Sequence, residues 1–363
     1  MQKRVLFLVP HLGGGGAERV TAHLAAGLPA DRYRVHLCVA AQGAHPFDAL
    51  PERVTLHDLG ARRVRGAALP LLRLVWRLRP ELIFSCMYHM NFLTLLLRPF
   101  FPPGTRCIVR QNNLVEQAGG RSRVTRGLYR ALYPRAERIV CQTEEMAGEM
   151  RALLGAAEKL CVLPNPVAFG GEGEALVGAL WDEGGPRLVA VGRLAPQKGF
   201  DLLLPAFAEI LGEFPQALLA ILGQGPEEAA LRELSAQLGI AERVRFAGHV
   251  TRPQEWFREA ALFVLSSRYE GMSNAMLEAA AAGLPIAAAP GMGGVGTLLA
   301  AQPGCWVAEE VSSTALARTL RAALHALTPG ARFAHEWLNE FRMENALRRY
   351  EALFEEVLAE VRA

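Results

Sequence analysis

Short apolar runs alternate with amphipathic helical stretches along this 363-residue chain, and this alternation limits how the chain can fold. In the first half most of these runs are rich in Val, Ile, Leu or Cys and apolar on both faces, as strands buried in a parallel sheet are. They predict strands at residues 5–9, 35–40, 54–59, 82–85, 107–110 and 138–142. The helical pattern falls at residues 17–28, 124–132 and 143–154. Strand, helix and strand at this spacing predict βαβ units and an open parallel sheet.

The same pattern restarts after a Gly- and Pro-rich break at residues 164–186, which we interpret as a linker. The second set of strands is predicted at residues 187–191, 217–222, 244–247, 261–266, 285–288 and 305–307, and its helices at 200–214, 227–238, 274–282 and 313–327. A last helix is predicted at about 344–361. We therefore expect an α/β protein with two Rossmann-like, doubly wound parallel-sheet domains that face a central cleft. The domains are residues 1–168 and 169–340, and residues 341–363 form a helix that packs back towards the first domain.

Composition excludes several classes of protein. Hydrophobic residues make up 51% and charged residues 21% of the chain, which excludes disordered and fibrous proteins. The net charge of +3 argues against a nucleic-acid binder, although residues 1–170 carry +11 and the remainder −8. The six cysteines form no Cys-x-x-Cys pair, which favours buried, reduced thiols in the cytoplasm. The His spacing shows no metal site, and no apolar run is long enough to cross a membrane.

The loop after the first strand of the second domain predicts a phosphate site. Arg193 and Lys198, one of only three lysines in the chain, flank a turn that immediately precedes a helix. A planar guanidinium, an ammonium group and the free N–H groups of a helix start together suit a diphosphate. A solvated surface loop is the alternative interpretation.

A second cluster of polar residues lies where the strand at 261–266 ends. Glu270 precedes a helix, Ser273 or Asn274 can cap its first turn, and Glu278 follows in that helix. A phosphate on the helix N–H groups would have a carboxylate on either side to accept hydrogen bonds from hydroxyl groups. The alternative is a helix cap with a surface glutamate.

The four glycines of the N-terminal loop, including Gly15 and Gly16, allow an anion to approach the backbone closely, but a flexible loop or a tight turn fits equally well.

Glu270 and Glu278 form a Glu-x7-Glu pair that resembles the signature of the retaining, nucleotide-sugar-dependent glycosyltransferases of family 4 (group 1), which have the GT-B fold. Other segments across nearly the whole chain are similar to this family. The resemblance implies that Glu270, Arg193 and Lys198 are the catalytic residues: the two cations neutralise the donor diphosphate, and Glu270 binds the donor sugar. It implies a substrate-binding set of Gly15, Gly16, Gly192, Gly223, His249, Gly271, Met272, Ser273, Asn274 and Glu278, of which Glu278 holds the ribose and His249 lines the base pocket.

The resemblance also implies that no metal and no cofactor is needed, because Arg, Lys and a helix N-terminus take the place of the metal. Two positions depart from the family pattern. Gln111, Asn112 and Asn113 follow a first-domain strand where many relatives have a His, so Asn112 or His89 is a candidate replacement, although a structural role is an alternative for His89. The glycine-rich loop at 290–296 lacks the acidic residue that relatives often carry.

The arginines of the first domain indicate what kind of acceptor the protein binds. One group surrounds the apolar residues 67–76 and a second lies between residues 121 and 138, a pattern that suits an interfacial helix as well as an ordinary helix with a solvated face. We therefore expect a retaining hexosyltransferase that moves a sugar from a nucleoside-diphosphate sugar to a lipid-linked or glycan acceptor in cell-surface polysaccharide synthesis. UDP is the expected nucleotide of the donor. It would be cytoplasmic, with an anionic membrane surface as a further possible partner. The alternatives are a nucleotide-sugar epimerase on the same fold and a non-catalytic relative that binds glycan or lipid.

Overall fold

The computed structural model describes residues 2–12, 16–41, 50–116, 122–167, 181 and 185–360. The chain divides into two compact units. Unit 1 comprises Met1–Pro166 and Met343–Ala363, and unit 2 comprises Val167–Arg342. Most of the predicted linker at 164–186, including the predicted boundary at residue 168, lies outside the described residues.

Unit 1 is built on a seven-stranded sheet in the order β3-β2-β1-β4-β5-β6-β7, and all of its strand pairs are parallel. Its strands are β1 (Lys3–Val9), β2 (Tyr33–Ala41), β3 (Val54–Ala61), β4 (Leu82–Cys86), β5 (Arg106–Arg110), β6 (Arg138–Cys141) and β7 (Leu160–Val162). Six were predicted. β7 was missed because its three residues are only half-buried and too few to show a periodic pattern.

Helices cover both faces of this sheet, because successive residues of a buried strand point to opposite sides. Leu6 and Leu8 of β1 belong to one core, and Val5, Phe7 and Val9 belong to the other. The helices of this part of the chain are α1 (Gly16–Gly27), α2 (Ala68–Leu78), α3 (Tyr88–Leu97), α4 (Arg123–Leu132) and α5 (Glu144–Leu154).

Unit 2 repeats this architecture with a six-stranded parallel sheet in the order β10-β9-β8-β11-β12-β13. Its strands are β8 (Arg187–Val191), β9 (Leu218–Leu222), β10 (Val244–Gly248), β11 (Leu262–Leu265), β12 (Ile286–Ala288) and β13 (Cys305–Val307). Its helices are α6 (Phe200–Ile210), α7 (Glu228–Gln237), α8 (Pro253–Glu259), α9 (Asn274–Ala281), α10 (Val295–Leu299) and α11 (Ser313–Ala326). The predicted class, two doubly wound parallel α/β domains, is therefore confirmed.

The last helix, α12 (Met343–Ala359), belongs to unit 1. Its Phe354 ring lies 5.7 Å from the Phe84 ring of β4, measured between centroids, so the helix covers part of the sheet core. Its polar face is acidic: Glu355 pairs with Lys3, and Glu356 lies 2.6 Å from Arg138. The negative charges of α12 are thus placed against the basic part of the chain.

Each sheet reverses its strand order at one point, between β1 and β4 in unit 1 and between β8 and β11 in unit 2. Loops that leave the carboxyl ends of two such strands diverge to opposite faces and open a crevice, where ligands of open α/β sheets bind. In unit 2 the two loops that flank this crevice are residues 192–199 and 266–273. They carry Arg193, Lys198 and Glu270.

Candidate functional site

The loop after β8 begins with a backbone contact that only glycine permits. A Cβ atom on Gly223 would lie 1.9 Å from the carbonyl oxygen of Gly192, and Gly223 has a φ of +145°. The amide of Gly192 donates to the carbonyl of Leu222 over 2.9 Å, which holds the loops after β8 and β9 together. Both predicted glycines, Gly192 and Gly223, therefore shape the floor of the crevice.

A second close backbone contact holds the residues around Lys198 against the end of β11, the neighbouring strand in the sheet. It ends a short 3-10 turn (Pro196–Lys198), and Gly199 follows with a φ of +64°. A Cβ atom on Gly199 would lie 2.1 Å from the carbonyl oxygen of Ser266, and the Ser266 hydroxyl donates to the Lys198 carbonyl over 2.7 Å. These contacts bring the Lys198 ammonium to Glu270, with which it forms an ion pair.

Glu270 is a nearly buried carboxylate, with 8% of the residue exposed. Besides Lys198, it accepts a hydrogen bond from the Ser267 hydroxyl over 3.2 Å. Its amide donates to the Met292 carbonyl over 2.8 Å, so the loop after β12 supports it from behind. A carboxylate and an ammonium this well enclosed need each other, since either would be costly to bury alone.

The helix that follows Glu270 starts where the sequence predicted. Ser273 is the N-cap of α9, and its hydroxyl accepts from the amide of Met276 over 3.4 Å. Gly271 and Met272 are buried before it, Asn274 is the first helical residue, and Glu278 is half-buried one turn further on. The first amides of a helix have no carbonyl partner within the helix, so they favour an anion at this end.

Two other predicted residues of unit 2 are exposed. Arg193 lies on the loop after β8, where its carbonyl accepts a hydrogen bond from the amide of Ala195 over 2.8 Å. Its exposed guanidinium makes no ion pair with any described residue. His249 follows β10 directly. Since the amide of Gly223 donates to the carbonyl of Gly248 over 2.7 Å, the loop with His249 lies beside the loop after β9.

Sequence reasoning assigned no role to Arg268 and Asp201, which lie two residues before Glu270 and three after Lys198. Their side chains form a bidentate ion pair, with both N–O distances 2.7 Å. Arg268 holds the pKa of Asp201 below its usual value, through hydrogen bonds first and through charge second. Their closeness to predicted site residues was a visible signal, but their pairing required knowing that β8 and β11 are neighbours.

In unit 1, the candidate replacements for the family's His have different surroundings. Asn112 accepts a hydrogen bond from the amide of Met87 over 3.1 Å, and Met87 has a φ of +75°, so the side chain supports a strained backbone. His89 lies in the first turn of α3, where burial and, secondly, the charge of His11 lower its pKa. Gly16 is the first residue of α1, and Gly15 lies outside the described residues.

His11 lies 3.4 Å from the buried carboxylate of Glu18, measured from Nδ1 to Oε1. Burial raises the pKa of Glu18. Among the described residues, no group of three or more His, Cys, Asp or Glu side chains is arranged to hold a metal ion. No helix in the described ranges is long and apolar enough to cross a membrane.

These features define a class of protein: two doubly wound α/β units, the second with two cations, a buried carboxylate and a helix N-terminus around its crevice. Comparison with known families agrees. The model of "Glycosyl transferases group 1" matches residues 176–333, and that of "Glycosyltransferase Family 4" matches residues 14–169. Together they cover most of the chain, which therefore belongs to the group 1, family 4 glycosyltransferases, as its motifs indicated.

Curated relatives are similar over parts of the chain. The lipopolysaccharide core biosynthesis glycosyltransferase LpsE of Rhizobium meliloti is 34% identical over 41% of this chain, which spans 42% of that relative's length. The 2-deoxystreptamine glucosyltransferase of Streptomyces kanamyceticus is 31% identical over 63% of this chain, which spans 62% of its length. An N-acetylgalactosaminyltransferase of Campylobacter jejuni that acts on a diphospho-undecaprenol-linked sugar is 26% identical, and the chain spans 79% of its length.

Solved structures with a similar fold cover nearly the whole chain. HepE of Anabaena, in complex with UDP and glucose, superposes with a TM-score of 0.80 at 16% identity, covering 98% of this chain and 100% of HepE. Sucrose-phosphate synthase of Thermosynechococcus elongatus gives a TM-score of 0.82 at 17% identity, covering 99% of this chain and 100% of that one. The expected GT-B fold class is confirmed.

Proposed function

We propose that this protein is a retaining glycosyltransferase of the hexosyltransferase class. It moves a sugar from a nucleoside-diphosphate sugar, with UDP as the expected nucleotide, to a glycan or lipid-linked acceptor in cell-surface polysaccharide synthesis. The observation that carries the proposal is the Lys198–Glu270 ion pair at the crevice of unit 2, beside the start of α9. A cation for the leaving phosphate and a carboxylate for the sugar hydroxyls are there held side by side.

In the proposed reaction, the bond between the sugar carbon and the donor phosphate breaks, and the diphosphate leaves with the electron pair. Lys198 and Arg193 stabilise the charge that develops on it, as do the amides at the start of α9. Glu270 accepts hydrogen bonds from the donor sugar, and Glu278 binds the ribose hydroxyls. The acceptor hydroxyl attacks from the same face and gives its proton to the departing phosphate. Neither a protein nucleophile nor a metal ion takes part.

The comparisons support the substrate classes by analogy. HepE was solved with UDP and glucose, LpsE acts in lipopolysaccharide core biosynthesis, and the Campylobacter enzyme uses a diphospho-undecaprenol-linked acceptor. An acceptor that carries its own pyrophosphate would suit the basic first part of the chain. We propose a cytoplasmic location, where nucleotide sugars are the available donors.

The proposal is tested by measuring thermal unfolding with UDP, GDP and ADP and with their sugars, followed by product analysis of any donor that binds. A nucleoside diphosphate present at 100 times its Kd should stabilise the protein by about 2.7 kcal/mol, by mass action. We expect one nucleotide to raise the melting temperature and its sugar to be transferred or slowly hydrolysed. A protein that no nucleotide stabilises and that consumes no donor would contradict the proposal. Conversion of the donor into an epimer would favour an epimerase, and tight binding without turnover would favour a non-catalytic relative.

Peripheral membrane binding is a further part of the proposal, and it rests on the outer face of α2. Leu69, Arg73, Trp76 and Arg77 are all exposed and fall at helical spacing on one face, with Leu69 65% and Trp76 47% exposed. Leu96 and Phe100, which follow in α3 and just after it, are exposed as well. Arginines beside exposed apolar side chains match an anionic lipid surface.

Replacing Arg73 and Arg77 by Gln is expected to weaken binding to vesicles that contain anionic phospholipid by about 30-fold, because each cation near such a surface contributes about 1 kcal/mol. Co-sedimentation measures this effect. Arg318→Gln is the matched control, since Arg318 is an exposed arginine of unit 2. Binding that ignores the anionic lipid content, or that falls equally in the control, would rule out this surface.

A further inference from the structure

Arg268 lies at the centre of the contacts between the two loops that flank the crevice of unit 2. Its guanidinium donates to both carboxylate oxygens of Asp201 over 2.7 Å, and one of its nitrogens also donates to the carbonyl of Pro196 over 2.8 Å. Its own amide donates to the carbonyl of Gln197 over 2.8 Å. One residue of the loop with Glu270 thus contacts residues on both sides of Lys198, in the loop before it and in the first turn of α6 after it.

The third loop, after β12, is joined to the same residue. The amide of Met292 donates to the carbonyl of Arg268 over 3.1 Å, and the carbonyl of Met292 accepts from the amide of Glu270. The side chain of Gln197 returns a hydrogen bond to the carbonyl of Tyr269 over 3.1 Å. The peptide groups that carry the predicted catalytic residues are therefore fixed relative to one another through Arg268.

An ordinary surface ion pair would not have this geometry. Exposed pairs contribute about 0–1 kcal/mol and are often mobile, whereas a bidentate guanidinium–carboxylate pair fixes both distance and plane. Arg268 and Asp201 are only part-exposed, and Asp201 is in the first turn of α6, where the helix dipole favours a carboxylate. The backbone bond to Pro196 gives Arg268 a third fixed partner, which a lysine could not reach at the same time.

We infer that Arg268 and Asp201 are positioning residues, which set the distance between the Lys198 ammonium and the Glu270 carboxylate without touching substrate themselves. This inference rests on the proposed function for its kinetic consequence. When the Arg268–Asp201 pair is broken, the donor diphosphate can still bind Arg193 and Lys198, because Lys198 keeps its hydrogen bond with Ser266. The pair therefore acts on turnover more than on nucleotide affinity.

The test compares Arg268→Gln, Arg268→Lys, Asp201→Asn and the double variant Arg268→Gln/Asp201→Asn. We expect kcat to fall at least tenfold in Arg268→Gln and in Asp201→Asn while the Kd for UDP changes less than threefold. Arg268→Lys should recover only part of the loss, and the double variant should be no slower than the slower single variant, because both changes break one unit. Arg321→Gln is the matched control: Arg321 is a part-exposed arginine of α11 that pairs with Glu209 of α6 and with Glu213 just after it.

A second readout is independent of catalysis. Hydrogen exchange of the amides at residues 197–199 and 267–270 should rise together in Arg268→Gln and in Asp201→Asn, and should stay unchanged in Arg321→Gln. The inference is overturned if exchange at these amides stays as in the wild type, if kcat stays within twofold, or if UDP affinity falls in step with kcat. A wild-type protein that turns over no donor but shows the coupled exchange would contradict the proposed function and leave the pairing of the loops established.

Discussion

Replacing Lys198 by Met is expected to lower turnover of the nucleotide sugar by about 10²–10³-fold, the usual effect of removing one preorganised group that stabilises developing charge. The ammonium is the group nearest to Glu270, and it is held there by the backbone contacts of Gly199 and Ser266. Steady-state release of nucleoside diphosphate measures the effect. A turnover within threefold of the wild type would remove Lys198 from the site.

The same substitution also breaks a buried ion pair, so stability needs its own control. Only 18% of the Lys198 side chain and 9% of the Glu270 side chain are exposed, and removing one partner of such a pair can cost about 3–5 kcal/mol. The double variant Lys198→Met/Glu270→Gln removes both charges and leaves an amide that still accepts from the Ser267 hydroxyl. We expect it to regain most of the lost melting temperature and none of the activity. Recovery of activity would mean that the pair serves only the fold.

Replacing Gly293 by Ala is expected to lower turnover at least tenfold, although Gly293 has no side chain to offer a substrate. Its φ is +119°, and a Cβ atom there would lie 1.6 Å from the carbonyl oxygen of Glu270. The neighbour is backbone and cannot rotate away, so the peptide that carries Glu270 must move. Measuring kcat together with the melting temperature distinguishes a loss of activity caused by the displaced Glu270 carboxylate from one caused by unfolding.

Gly239→Ala provides the matched control for this substitution. Gly239 also has a positive φ, +69°, but a Cβ atom there would meet nothing within 4 Å. It should lose about 1 kcal/mol of stability and keep its turnover. If Gly293→Ala behaves like Gly239→Ala, with normal kcat, the loop after β12 does not position Glu270.

Much of the fold could be predicted from the local pattern of the chain. Most of the strands are short apolar runs between helical stretches, so twelve of the thirteen described strands could be predicted from the sequence. The ends of helices were predicted less accurately where the apolar pattern of the helix continues into the following residues. The helix predicted to residue 214 ends at Ile210, two residues before Gly212, whose backbone freedom disfavours a helix.

The candidate site was predictable only in part. Glu270, Ser273 and Glu278 are local to one helix start, so their spacing was informative, and the predicted N-cap is formed by Ser273. Lys198 and Arg193 were recognised by residue type and place. The substrate roles of all the predicted site residues, including Gly15, Asn112 and His89, stay predictions, and the hydrogen bond from the Met87 amide shows a structural task for Asn112.

By itself the sequence determined that the chain forms two parallel α/β units, and it predicted a diphosphate site in the second. Periodicity and capping are properties of neighbouring residues, so they can be read along the chain. Only the tertiary structure decided that β8 lies beside β11, which brings Lys198 to Glu270 and Asp201 to Arg268. It also placed Gly293 against Glu270. These contacts join residues far apart in the chain, and they depend on strand order, which no local pattern records.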